Sequence, residues 1–111
     1  MMLALGIDSF TGTRLLDSRS ILAVFYAAWC PFCRSFLTIF EKTMKDRNDP
    51  LAALVDISDV NSPLWDTFQV EIVPTLVGFK NGATVVRKDG VAGAGLQPQE
   101  LLDALRTMEE R

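Results

Sequence analysis

The chain has 111 residues with 11 basic and 14 acidic side chains, a formal net charge of −3, two cysteines and no histidine. At this length folding buries about 65% of the surface an unfolded chain exposes, enough for one self-sufficient core over residues 1–111. A composition of 49% apolar and 23% charged residues, with the basic ones scattered, is that of a globular domain. It excludes a duplex nucleic-acid binder, Ser-His or Cys-His catalysis, and a four-ligand zinc site within one chain.

Residues 1–10 have no basic leader or long apolar run and meet Asp8 early, which points to a cytoplasmic chain without a secretory signal. Leu3 to Leu5 reads as a short strand. Asp8 then stands as N-cap of a helix carrying Phe10, Leu15 and Leu16. Ile21 to Tyr26 is an unbroken apolar and aromatic run, as expected of a central strand buried on both faces, and far too short to span a bilayer. Pro31 suits the first turn of a helix, and Cys33, Phe36, Leu37, Phe40 and Met44 fall on one face of it. That helix should end in the breakers Asn48, Asp49 and Pro50, ahead of a buried strand over 51–57.

Ser62 and Pro63 open a short helix through Trp65 and Phe68. Asn81-Gly82 between β-rich runs signals a hairpin. Pro98 starts a last helix that turns Leu101, Leu102, Leu105 and Met108 inward. The order is βαβαβαββα.

Cys30-Pro31-Phe32-Cys33 lies where the central strand passes into a helix. The first sulfur then sits over free N–H groups and the positive end of the helix dipole, which favour a thiolate, so Cys30 is the expected nucleophile. Cys33 is one turn on, within reach to form a readily exchanged disulfide, and is the expected resolving thiol. The ring they close is too short to stabilise the fold much. Taken alone, a Cys-x-x-Cys pair reads equally well as small buried hydrophobes, and its place in a βαβ unit favours redox chemistry. No metal or cofactor is implied within one chain.

The chain resembles the thioredoxin family. The matching residues are Phe25-Tyr26-Ala27-Ala28-Trp29-Cys30-Pro31-Phe32-Cys33, then Asp59, Val73-Pro74-Thr75, Phe79-Lys80-Asn81-Gly82, and Gly90. The resemblance implies the thioredoxin fold, an α/β three-layer αβα sandwich around a central mixed sheet, and thiol-disulfide exchange on protein substrates. It implies that Cys30 attacks, that Cys33 resolves, and that the Val73-Pro74 bond is cis beside the sulfurs. Trp29, Pro31, Phe32, Ile72, Val73, Pro74, Gly90 and Val91 would meet the substrate, with Asp59 in support. The implied partners are disulfide-bearing proteins and a thioredoxin-reductase-like electron donor, for a monomer with no nucleic-acid or membrane role.

The chain departs from the family at the buried Asp and Lys near the resolving cysteine, whose positions are matched to Val24 and Val55. Losing both charges together avoids an unpaired buried charge, but removes a proton acceptor for Cys33, leaving water or a carboxylate such as Asp59. Pro31-Phe32 differs from the usual Gly-Pro and approaches the dipeptide of glutaredoxins, whose paired glycines for glutathione are not present after the proline. A reductant is therefore the leading expectation. The alternatives are a disulfide oxidase or isomerase, a glutaredoxin-like protein, or a non-catalytic binding module.

Overall fold

A computed structural model describes residues 2–111; Met1 lies outside them. The main sheet has the order β1-β5-β4-β6-β7, built from β1 (Leu3–Leu5), β4 (Ile21–Tyr26), β5 (Leu51–Asp56), β6 (Thr75–Lys80) and β7 (Ala83–Lys88). The strands β1, β5 and β4 run parallel, while β6 and β7 are antiparallel, giving the mixed α/β sheet. The continuous apolar run makes β4 the centre. Alternate residues of it feed opposite cores, Ile21, Ala23 and Phe25 on one side and Leu22 and Val24 on the other.

Two helices cover the second side. From α1 (Pro31–Met44), Phe36, Phe40 and Met44 are buried, and from α3 (Pro98–Glu110), Leu101, Ala104, Leu105 and Met108. The apolar periodicity predicts this face of α3 with one exception, since Leu102 is exposed and Ala104 takes the inward position. Leu102 lies one step, about 100°, from Leu101, off the stripe that Leu101, Leu105 and Met108 define. Lys80 closes the end of α3 by donating from Nζ to the Met108 and Arg111 carbonyls, a cation at the negative end of the helix dipole.

The first side is covered by the short α2 (Leu64–Thr67) and by an antiparallel pair, β2 (Phe10–Thr11) and β3 (Arg14–Leu15). This pair stands where the sequence suggests a helix capped by Asp8. The chain makes one 3₁₀ turn over Ile7–Ser9, with Ser9 Oγ accepting from Gly6 N at 3.0 Å, and Gly12 at φ +58° then reverses it. A left-handed residue cannot continue a helix. Period-2 geometry turns Phe10 and Leu15 inward together and leaves Leu16 outside.

The packing gained explains the outcome. Phe10 meets Phe68 edge-on with centroids 5.0 Å apart and lies 6.0 Å from Phe79, while Phe68 lies 4.9 Å from Phe25. Each such ring contributes roughly 1.5–3 kcal/mol by burial. The Asn81-Gly82 turn forms as its sequence predicts, with both residues at positive φ. Among the described residues no helix is long and apolar enough to cross a membrane.

Candidate active site

At the carboxyl end of β4 the chain turns, with Cys30 N bonded to Ala27 O at 3.2 Å, and α1 begins at Pro31. Cys30 is the N-cap. Its Sγ accepts from Cys33 N at 3.3 Å and donates to Val73 O at 3.5 Å. The sulfur therefore occupies the place of a capping oxygen over an N–H that the helix itself leaves unpaired. Cys30 is 6% exposed and Cys33 fully buried, so the first sulfur is the one that meets a large reactant. The peptide bond between Val73 and Pro74 is cis, as the resemblance implies; so, unanticipated, is Asp49-Pro50.

Burial pushes the Cys33 thiol up from 9.0 to about 12, against an opposing contribution from the Ala27 backbone, and the adjoining Cys30 sulfur raises it further. The folded state thus keeps this proton where an unfolded thiol releases it. Stability from this group is complete below pH 9.0 and is lost as pH rises toward 12. The midpoint of urea unfolding should fall between about pH 8 and pH 10.5, and fall less in Cys33→Ala, which has no thiol to titrate. Equal declines in the two proteins would contradict this assignment.

The loop after β5 frames the site, a role not evident in the sequence. Ser58 Oγ donates to the Asp56 carboxylate and so is aimed to accept Ala28 N at 2.7 Å. Trp29 Nε1 donates to Ser58 O at 2.9 Å, and Trp65 Nε1 to Ile57 O at 3.0 Å. The two indoles stack with centroids 6.4 Å apart and planes at 7°. Trp65 comes from α2, so this wall joins segments distant in sequence. Buried Thr75 donates to Ile72 O at 2.7 Å and accepts from Gly90 N at 3.4 Å, tying the cis-proline loop to the segment after β7.

Of the expected contact residues, Trp29, Pro31, Phe32 and Val91 are exposed, and Ile72 and Gly90 are half-buried. Val73 and Pro74 are buried as whole residues, with Val73 O accepting from Cys30 Sγ, so within this loop Ile72 is the residue that stays half-open. A groove of about 260 Å³ lined by Gln69, Glu71, Ile72, Asp89 and Gly90 adjoins it. Asp59 sits apart from the sulfurs' hydrogen bonds. Its carboxylate accepts Asn61 N at 2.9 Å and its carbonyl Ser62 N at 2.9 Å, so it shapes the turn into α2.

The position paired with Val24 also differs from expectation. Val24 and Val55 belong to cores on opposite faces of the sheet. The strand neighbours of Val24 are Leu54 and Leu76, and those of Phe25 are Val55 and Thr75. Leu54 therefore shares the face of Val24, and the apolar character there does not depend on Val55. Among the described residues, no group of three His, Cys, Asp or Glu is placed to hold a metal ion.

A thioredoxin family model matches residues 5–105. A thioredoxin of Mycolicibacterium smegmatis is 36% identical over 100 residues, spanning 88% of this chain and 89% of that protein. A Mycobacterium leprae protein named bifunctional thioredoxin reductase/thioredoxin is 30% identical over 98 residues, 87% of this chain and 21% of its own length. In fold, thioredoxin f2 of Chlamydomonas reinhardtii superposes with a TM-score of 0.80 over 100% of this chain and 99% of that chain, at 19% identity.

Proposed function

We propose, from the premise that this chain belongs to the thioredoxin family and is a thiol-disulfide oxidoreductase, that it reduces protein disulfides with Cys30 as nucleophile and Cys33 as resolving thiol. The carrying observation is the Cys30 sulfur at the head of α1, accepting Cys33 N at 3.3 Å with Cys33 buried behind it. Deprotonated Cys30 attacks one sulfur of a substrate disulfide, which forms a mixed disulfide and expels the other sulfur as thiolate. Cys33, giving its proton to water, then attacks Cys30 Sγ. A Cys30–Cys33 disulfide forms, the second substrate thiol leaves, and two electrons have passed to the substrate.

Trp29, Pro31, Phe32 and Val91 supply apolar contact, and the backbone of Ile72, Val73 and Pro74 with Gly90 receives an extended substrate segment. Asp59 supports the turn behind Trp29. Buried carboxylates do not accept the Cys33 proton, because the buried polar side chain among the described residues is Thr75. This favours slow resolution near neutral pH. A thioredoxin-reductase-like protein returns the electrons, a reading that the name of the M. leprae relative supports. The setting is the cytoplasm, and the form a single-domain monomer that engages neither nucleic acid nor membrane.

The test has two parts. The protein should accelerate reduction of a protein disulfide by dithiothreitol. Its Cys30/Cys33 reduction potential should lie below the cytosolic glutathione poise of about −220 to −260 mV. A potential well above that poise would mark an oxidase, and no acceleration would remove the enzymatic reading.

A further inference from the structure

The segment between β7 and α3 closes on itself, with Val91 N bonded to Gly95 O at 2.9 Å and Gly95 N to Val91 O at 2.7 Å. Both ends of this turn press on the redox site. A β-carbon placed at Gly90 would stand 2.5 Å from Pro74 O. One placed at Gly95 would stand 2.8 Å from Phe32 Cβ, 3.3 Å from Phe32 Cγ and 3.5 Å from Pro74 Cδ. The first of these distances is closer than real side chains approach. The turn therefore seats on the first turn of α1 only because residue 95 has no side chain. Phe32 and Val91 nevertheless remain 43% and 58% exposed.

We propose that Gly95 determines specificity by positioning: its bare α-carbon lets the 90–95 turn close on Phe32, joining Phe32 and Val91 into one apolar wall beside Cys30. The wall holds a polypeptide whose disulfide is flanked by apolar side chains, and a small disulfide makes no use of it. This rests on the reading of the chain as a protein-disulfide reductase. Gly95 meets no reacting atom and acts through Phe32.

Gly93 supplies the control. It lies at φ +77° with nothing within 4 Å of an added β-carbon, against φ +69° at Gly95. Alanine at either position adopts a left-handed backbone, and only Gly95→Ala also meets Phe32. Relative to Gly93→Ala, Gly95→Ala is expected to raise KM for a protein disulfide by about tenfold, with kcat and reduction of hydroxyethyl disulfide within about twofold. In a Phe32→Gly background the two alanines should become equivalent. Val91→Asp, which puts a carboxylate on this wall, should also raise KM for the protein disulfide.

Equal KM values for Gly93→Ala and Gly95→Ala, or a protein KM unmoved by Val91→Asp, would overturn the inference alone. So would a matching loss on both disulfides, which would locate the defect at Cys30 itself. A parent inactive toward both would overturn the redox reading and this inference with it.

Discussion

Cys30→Ser is expected to lower dithiothreitol-driven reduction of a protein disulfide by about 10³-fold or more, to the uncatalysed background. The hydroxyl is a far weaker nucleophile than a thiolate, and it cannot form the mixed disulfide through which both exchanges pass. Cys33→Ala should fail differently. The first exchange goes to completion, but no second sulfur stands behind the bond, so Cys30 should accumulate as a covalent adduct with substrate. A non-reducing gel with intact-mass analysis would display it. Alanine is the better probe than serine, because residue 33 is fully buried and a hydroxyl there would cost about 1–3 kcal/mol without a partner. Full turnover in either variant, or an adduct on Cys33 in place of Cys30, would reverse the assigned roles.

The second large effect concerns stability. Val24→Asp is expected to destabilise the fold by about 3–5 kcal/mol, read from urea unfolding near neutral pH, because it puts a carboxyl among apolar neighbours with nothing to pair it. The sheet register then decides which second change relieves it. Leu54 neighbours Val24 and points to the same face, whereas Val55 belongs to the opposite core. Val24→Asp with Leu54→Lys should recover part of the loss, and Val24→Asp with Val55→Lys should lose more. The same series tests the proton question: resolution of the mixed disulfide should quicken in the Val24→Asp protein if an internal acceptor is what Cys33 lacks. An unchanged single-turnover rate would discard that explanation of slow resolution.

Much of this is legible in the amino-acid sequence. The unbroken run Ile21 to Tyr26 suits a strand buried on both faces, and the spacing of Phe36, Phe40 and Met44 suits a helix with one wet side. Asn81-Gly82 carried its own turn geometry. The Cys-x-x-Cys pair showed its place at a helix start because strand and helix signals lie immediately on either side of it.

What stayed hidden is what depends on distant contacts. Phe10 and Leu15 suit a helical face as well as a hairpin, and the aromatic partners Phe25, Phe68 and Phe79 decide between them. Register across parallel strands is likewise not written in either strand, so only the folded sheet shows that Leu54, and not Val55, lies beside Val24. Ser58 and Trp65 look like ordinary loop and helix residues until folding sets them against Ala28 and Trp29. The close approach of Gly95 to Phe32 links positions 63 apart and leaves no local trace beyond a glycine.

The stacked indoles of Trp29 and Trp65 are also the chain's whole complement of tryptophan. Intrinsic tryptophan emission from this protein is therefore an optical signal from one place, the rim of the redox site, while the one tyrosine, Tyr26, packs against both cores. An unfolding curve followed by fluorescence reports the loosening of that rim, and one followed by far-ultraviolet circular dichroism reports α1 and α3. Their coincidence or separation measures whether the catalytic end of the sheet melts with the molecule or ahead of it.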